Sequence, residues 1–179
     1  DEKKYQFLLN FIGQNSNITS GNNQLMAYAG ISPNRQIIQE GLLNSKINLK
    51  NNTIEIGTLS ENILNLTNTE FITTPFPLNS KNFQLMSNIQ FENQNIFLYK
   101  NLKSQPHTYP VEDFKIANTV GDIHKLLSDE SFDPRKTVIL EKTPPLELSK
   151  NDKGTVKVVS YNNTHVTINT NLTANSLVV

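Results

Sequence analysis

The chain has 179 residues, enough for one ordinary domain or two small ones with a buried core. Its 16 Lys and Arg residues balance 16 Asp and Glu residues, so the chain lacks the basic excess that is typical of nucleic-acid-binding proteins. Because of this charge balance we expect no nucleic-acid partner. The absence of cysteine excludes disulfide bonds, thiolate metal sites and cysteine nucleophiles.

The N-terminal quarter of the chain is predicted to contain one strand and one helix. Aromatic and aliphatic residues alternate over residues 5–12, which is typical of an amphipathic strand. The polar residues 13–23 favour a loop. Ser32 followed by Pro33 is a favourable helix start, and apolar residues at helical spacing extend this helix to about Asn44.

The middle of the chain is predicted to be mainly β-structure. Residues 53–56 and 70–74 have strand patterns, with a short helix over residues 60–66 between them. Residues 83–91 and 96–99 alternate between apolar and polar side chains on either side of a polar turn. This pattern predicts a β-hairpin.

A second helix and a strand follow. Thr119 is predicted to cap a helix over residues 120–128, and Asp122 in its first turn complements the helix dipole. The turn at Asp133 ends this segment, because the next residue is a proline and proline disfavours helix in the residue before it. The β-branched and apolar run 137–140 then predicts a buried strand.

The composition changes after residue 141. Residues 142–154 are polar and contain a Pro-Pro pair, which favours a linker or crossing loop. Residues 155–161 and 165–171 alternate in polarity and predict a second hairpin, and Leu177 begins a predicted third strand.

These elements together predict an α+β fold. We expect a mixed β-sheet with a few short helices over residues 1–141, followed by a partial antiparallel β-sandwich that starts in residues 155–179. No apolar run approaches the roughly 20 residues that a membrane-spanning helix needs. The chain begins without an initiator methionine or signal peptide and ends inside a predicted strand, so we expect it to be a piece of a longer protein.

The candidate ligand-binding residues are aromatic or charged side chains in predicted loops and turns. They are Tyr28, His107, Tyr109, Asp133 and Arg135. The two tyrosines are suited to stacking on sugar rings, with packing in the core or at its rim as the alternative. The histidine lies in a proline-flanked loop that would present it to solvent, and an ordinary surface histidine is the alternative.

The Asp133–Arg135 turn also allows two interpretations. The Asp133 side chain is expected to stabilise the turn by capping it or hydrogen-bonding within it. Arg135 is expected to pair with a nearby carboxylate. Contact of Arg135 with an anion or phosphate is the alternative. The three histidines have no paired spacing, so we expect neither a metal site nor a cofactor.

No catalytic constellation is recognisable in the sequence. A glycosidase needs two carboxyl groups about 5–10 Å apart, a separation that spacing along a chain does not fix. There is no Gly-x-Ser-x-Gly nucleophile motif, no glycine-rich phosphate loop and no tryptophan platform for a sugar. We therefore expect the chain to be non-catalytic by itself.

Five segments of the chain share their order and spacing with a known family. They are residues 64–73, 96–101, 106–111, 132–141 and 156–162. The fourth reads Phe-Asp-Pro-Arg-Lys-Thr-Val-Ile-Leu-Glu. The set resembles the extracytoplasmic region that bacterial membrane proteins of the YfhO family carry toward their C-terminal end.

This resemblance implies a parent protein with many transmembrane helices, similar to membrane glycosyltransferases that decorate cell-envelope polymers such as teichoic acids. On that basis we expect the chain to lie on the extracytoplasmic face of a bacterial cell membrane. Its expected partners are the transmembrane region of the same parent and a cell-envelope glycan, which it would position as an acceptor. The alternative is a carbohydrate-binding or adhesive module of an exported protein.

Overall fold

A computed structural model describes residues 46–48, 51–91, 93–145, 147–149, 154–162 and 164–179. The strand, loop and helix predicted over residues 5–44, and with them Tyr28, lie outside this part of the chain. The described helices are α1 (Thr58–Leu66) and α2 (Val120–Leu127). The described strands are β1 (Lys46–Asn48), β2 (Thr53–Glu55), β3 (Phe71–Thr74), β4 (Leu78–Asn79), β5 (Phe83–Phe91), β6 (Gln94–Asn101), β7 (Pro110–Val111), β8 (Asp113–Ile116), β9 (Thr137–Leu140), β10 (Thr155–Tyr161), β11 (Val166–Asn171) and β12 (Leu177–Val178).

The predicted α+β class is confirmed, because two short helices accompany several small sheets in the described residues. Neither α1 nor α2, the helices of those residues, has the length and apolar character to cross a lipid bilayer. The chain divides into two compact units. The division predicted at residues 142–154 stays a prediction.

The described part of the first unit is residues 46–48, 51–56, 69–91 and 93–102. It holds one sheet in the order β1-β2-β4, in which β2 and β4 are parallel, and an antiparallel sheet in the order β3-β6-β5. Four buried side chains form its core. They are Ile54, Leu78, Phe83 and Tyr99.

The predicted hairpin of this unit is confirmed as β5 and β6. Its turn is tighter than predicted, since Phe91 and Gln94 already face each other across the two strands. Asn93 in this turn has a φ of 66°, a left-handed conformation that asparagine tolerates better than most residues. Two-residue loops are the commonest connections in β-hairpins.

The second unit contains residues 57–68 and the described residues from 103 onward. Its sheets are three pairs, β8 with β9 in parallel, and β7 with β12 and β10 with β11 in antiparallel arrangement. Its buried apolar side chains come from both helices and from the segments around β7 and β8. They are Leu59, Ile63, Leu64, Val111, Ala117 and Leu127.

The predicted cap of α2 is confirmed. The Thr119 side-chain oxygen accepts a hydrogen bond from the Asp122 backbone N–H at 3.1 Å, and its hydroxyl donates to the Asp122 carboxylate at 2.7 Å. These bonds satisfy one of the free N–H groups at the helix start and hold an acidic group near the positive end of the dipole.

The strand predicted to begin at Leu177 is confirmed as β12, and its partner in the described residues is β7 and not the tail hairpin (β10–β11). Leu177 pairs with Val111, and Val178 pairs with Pro110 in β7. Burial is consistent with this pairing, because Val111 is only 2% exposed and both β12 residues are partly buried, whereas every residue of β11 is exposed.

Gly154 at the base of the tail hairpin leads to a stability prediction. A Cβ atom there would lie 2.7 Å from Leu172 Cδ2 and 2.8 Å from the Asn171 carbonyl oxygen. We expect Gly154→Ala to lower the free energy of unfolding by about 1–2 kcal/mol, since a backbone oxygen cannot move aside alone. Urea denaturation measures this change.

Gly121→Ala is the matched control. Gly121 lies in α2, and a Cβ atom there would meet only Thr119 Oγ1 at an ordinary 3.7 Å. Alanine is the better helix former, so this variant is expected to gain about 0.5–1 kcal/mol. Effects of the same sign in the two variants would contradict the steric argument.

Candidate functional site

Four of the five predicted site residues lie in the second unit, and two chain segments supply them. His107 and Tyr109 belong to the segment that leads into β7. Asp133 and Arg135 belong to the turn that leads into β9. Tyr28 lies outside the described residues.

His107 is exposed and has an aromatic neighbour that the sequence did not single out. Its ring stacks on that of Tyr161, with centroids 6.4 Å apart and planes inclined by 29°. This separation lies within the range of favourable ring pairs. Tyr161 is the last residue of β10 and is 74% exposed, so the two residues form an accessible aromatic surface, the His107–Tyr161 ring pair.

The backbone of Tyr109 is hydrogen-bonded to that of Val179, which follows β12. Its backbone N–H donates to the Val179 carbonyl at 3.0 Å, and the Val179 N–H donates to the Tyr109 carbonyl at 3.0 Å. This exchange continues the pairing of β7 with β12 by one residue. Burial raises the pKa of the Tyr109 hydroxyl, and the negative charge of Asp133 raises it further, so the hydroxyl stays protonated in neutral solution.

Asp133 and Arg135 form a closed turn. The Asp133 Oδ1 atom accepts hydrogen bonds from the Arg135 backbone N–H at 3.0 Å and from its Nε at 2.9 Å. The Oδ2 atom accepts from Arg135 Nη2 at 2.9 Å. The structure thus shows the two structural roles predicted for this pair, while a ligand role for either residue stays a prediction.

The Asp133–Arg135 pair acts on the pKa values of both groups. The side-chain hydrogen bond from Arg135 holds the pKa of Asp133 below its ordinary value, against an opposing effect of burial. The same bond raises the pKa of Arg135. Both groups are therefore charged over the whole neutral range.

This lowered pKa predicts a stability difference that depends on pH. Asp133→Asn is expected to cost about 0.5–1 kcal/mol at pH 7, a small value because solvent screens a pair in which half of the Arg135 side chain is exposed. A carboxyl group with a depressed folded pKa stabilises above its unfolded pKa and loses that effect as pH falls through the folded pKa. The difference between wild type and variant should therefore shrink below about pH 4, the ordinary range of aspartate.

Urea denaturation at pH 7 and at successively lower pH values tests this expectation. Asp129→Asn is the comparison, because the pKa of Asp129 is also lowered, mainly by the backbone N–H of Ser131, but its side chain is exposed and no arginine of the described residues pairs with it. A pH-independent cost of Asp133→Asn would contradict the argument.

Two further aspartates of the second unit stabilise local structure. The Asp129 and Asp113 side chains accept hydrogen bonds from the backbone N–H groups of Ser131 and Phe114. A glycosidase acid needs a raised pKa, whereas the pKa values of Asp129 and Asp133 are lowered. Among the described residues no three His, Asp or Glu side chains come together as a group that could hold a metal ion.

The arrangement thus offers recognition chemistry: an exposed ring surface, a partly buried phenol, and a guanidinium held by one carboxylate. Such groups suit contact with a polyol or a phosphate. Comparison of the chain with protein-family models, curated proteins and solved structures found no match.

Proposed function

We propose that this chain is a non-catalytic extracytoplasmic domain of a bacterial multi-pass membrane protein of the YfhO type, and that it binds and positions a cell-envelope glycan. The ordered set of five segments within residues 64–162 supports the family and the location. The observation that carries the glycan contact is the His107–Tyr161 ring pair. Tyr161 is 74% exposed, and its ring stacks on that of His107.

An exposed ring pair suits a sugar for a physical reason. The apolar face of an aromatic ring covers the C–H face of a sugar, while the phenol oxygen of Tyr161 and the imidazole of His107 offer hydrogen bonds to its hydroxyl groups.

Arg135 extends this proposal to polymers that carry phosphate, such as teichoic acids. Its pairing with Asp133 uses the Nε–H and one hydrogen on Nη2, which are two of the five N–H groups of a guanidinium. Half of the Arg135 side chain is exposed, so the guanidinium can also be approached from solvent by an anion. The chain segment 107–109 connects the two contacts, since His107 stacks on Tyr161 and Tyr109 lies within electrostatic reach of Asp133.

We also propose that the tail hairpin belongs to an antiparallel β-sandwich. The register places the apolar side chains Val156, Val158 and Ile168 on one face, with Tyr161 and Val166 at its far end. Polar residues such as Lys157 and Asn169 occupy the opposite face. A hairpin with one apolar face needs a second layer for stability, and a layer over the base would leave the ring pair at the far end accessible.

Glycan binding tests the function directly. Titration of the chain with a poly(glycerol phosphate) polymer and with a neutral glycan of similar length, followed by NMR or calorimetry, should give binding with shifts at His107 and Tyr161. Tyr161→Ser is expected to raise Kd about tenfold, equivalent to about 1.4 kcal/mol. Tyr161→Phe keeps the ring and should stay within about threefold of wild type.

Two results would oppose the proposal: no binding to any glycan, or equal Kd values for wild type and Tyr161→Ser. The complete gene separates the membrane-protein proposal from the exported-module alternative. Many membrane spans upstream of this chain favour the first, and a signal peptide with repeated modules favours the second.

A further inference from the structure

Strand β5 is the outer strand of the β3-β6-β5 sheet, and no other strand of the described residues pairs with its outer side. Its nine residues include no charged side chain and no proline, the residues that usually keep an edge strand from pairing further. Beyond Phe83 every residue of β5 is exposed, so the strand extends past the core of the first unit. A two-stranded ribbon that is exposed in this way has little stability of its own.

The direction of the backbone groups in this sheet follows from two hydrogen bonds at the end of β6. The Asn101 N–H donates to the carbonyl of Glu70, directly before β3, at 2.8 Å. The Leu102 N–H donates to the carbonyl of Asn82, directly before β5, at 2.9 Å. Because successive residues of a strand direct their backbone groups to opposite sides, the odd-numbered residues of β6 bond toward β3 and the even-numbered ones toward β5.

The outward-directed groups of β5 can then be identified. The bulge in the β5–β6 pairing adds its extra residue to β5, so the alternation along β6 is unbroken. Asn88 lies opposite Phe97 and Gln90 lies opposite Asn95, two residues of β6 that bond toward β3. The backbone N–H and C=O groups of Asn88 and Gln90 therefore point to the outer side of β5.

We propose that the outer side of β5 pairs with β5 of a second copy of the chain, in an antiparallel dimer whose two-fold axis passes between the two Ile89 residues. This register places Asn88 opposite Gln90 of the second copy, and Gln90 opposite its Asn88. Each of these pairs exchanges two backbone hydrogen bonds, so the outward groups of both residues are satisfied. The bulge between Leu85 and Ser87 lies outside the register.

The side chains also match across the two-fold axis. Asn88 and Gln90 lie on one face of the sheet, and Ser87, Ile89 and Phe91 lie on the other. On the first face amide lies opposite amide, and each amide group both donates and accepts hydrogen bonds. On the second face Ile89 meets its own copy in a pair without backbone hydrogen bonds, the type that brings side chains closest. Ile89 and Phe91 are 56% and 52% exposed, so pairing removes apolar surface from water.

The absence of charge favours a second copy as the occupant. A two-fold axis brings the central side chains of a strand close to their own copies, so a lysine or glutamate there would meet a like charge. No residue of β5 is charged. The strand is thus complementary to itself in backbone direction, in polarity on both faces and in charge. A second copy meets all three requirements by symmetry.

Charge substitution in the full chain tests this register. Asn88→Lys with Gln90→Lys places lysine opposite lysine across the dimer, whereas Asn88→Lys with Gln90→Glu places lysine opposite glutamate. Sedimentation equilibrium at low salt should give a wild-type dimer with a Kd between about 10 μM and 500 μM, as expected of a small interface. The double-lysine variant should raise Kd at least tenfold, while the lysine–glutamate variant should stay within about threefold of wild type.

Two results of this experiment would overturn the proposal. One is a wild-type chain that remains monomeric up to about 1 mM. The other is an equal Kd in the two double variants, since only the proposed register distinguishes them. Urea denaturation of dilute samples checks that both variants fold, so that the comparison measures association.

Disulfide trapping gives an independent measurement, because the chain has no native cysteine. Ile89→Cys places the two cysteines on either side of the two-fold axis with Cα atoms about 4.5 Å apart, within the range for a disulfide. Gln90→Cys is the matched control. Position 90 is also exposed, but its two copies lie diagonally at about 7–8 Å, which is too far for a disulfide without backbone movement.

Mild oxidation above the wild-type Kd should convert most Ile89→Cys molecules to a covalent dimer and give several-fold less of it in Gln90→Cys. Similar yields in the two variants, or no covalent dimer in either, would also overturn the proposal.

Discussion

Replacing Asn62 with aspartate is expected to lower the free energy of unfolding at pH 7 by about 3–5 kcal/mol, a large effect for a change of one side-chain group. Asn62 lies in α1, is 7% exposed, and donates a hydrogen bond from Nδ2 to the Leu127 carbonyl at 2.8 Å. That carbonyl belongs to the last residue of α2, where the helix dipole is negative. A carboxylate of the same shape cannot donate and would place a buried negative charge against this oxygen.

The cost of Asn62→Asp should depend on pH. Burial and the carbonyl oxygen both disfavour the charged form, so the pKa of the introduced carboxyl group rises in the folded chain above its unfolded value of about 3.9. The penalty is therefore smallest below about pH 4, where the neutral carboxyl group can donate to the carbonyl, and it grows as pH rises.

Asn62→Ala distinguishes the stability cost of the buried charge from the cost of the lost hydrogen bond. It leaves the Leu127 carbonyl without its partner, which is expected to cost about 1–3 kcal/mol at every pH. Urea denaturation of wild type and both variants at pH 3.5 and 7 provides the comparison. If the two variants lose equal stability at pH 7, the buried-charge argument is wrong.

The role of Asn62 also shows where sequence reasoning stops. The pattern predicted a helix over residues 60–66, and α1 spans Thr58–Leu66. Three polar residues on it, Ser60, Asn62 and Asn65, are nevertheless buried. The partner of Asn62 lies in α2, distant in the chain, and no local pattern reports that contact.

Local signals were sufficient elsewhere. The cap at Thr119, the β5–β6 hairpin and the Asp133–Arg135 pair each depend on residues within a few positions of one another, and each was predictable from residue type and spacing. Non-local contacts were not. The pairing of β12 with β7 joins residues that are distant in the chain, and burial at Val111 is consistent with it.

The candidate site divides in the same way. Its charged half is a turn with a local sequence signature, whereas its aromatic half combines a loop residue with the end of a strand far along the chain. An aromatic residue that ends an alternating strand beside an Asn-rich turn was the available signal for Tyr161. It was insufficient, because such residues more often serve packing.

Tyr99→Phe is the second substitution with a large expected effect, a loss of about 2–3 kcal/mol in the free energy of unfolding. Tyr99 is 5% exposed, and its hydroxyl oxygen accepts a hydrogen bond from the Leu78 backbone N–H at 2.8 Å in the buried interior of the first unit. Phenylalanine fills almost the same volume but leaves this N–H without an acceptor where water does not reach it. The expected loss lies in the upper part of the range for a missing hydrogen bond, because the Leu78 N–H stays buried without an acceptor.

Tyr161→Phe is the matched control, since it removes the same hydroxyl group at a position that is 74% exposed. Its effect on stability should lie within about 0.5 kcal/mol of zero. Urea denaturation gives both values. Hydrogen exchange at the Leu78 amide should also become faster in Tyr99→Phe, because this N–H of the short strand β4 loses the Tyr99 hydroxyl oxygen as its acceptor. Similar stability losses in the two tyrosine variants would show that the Tyr99 hydroxyl contributes through something other than the buried N–H of Leu78.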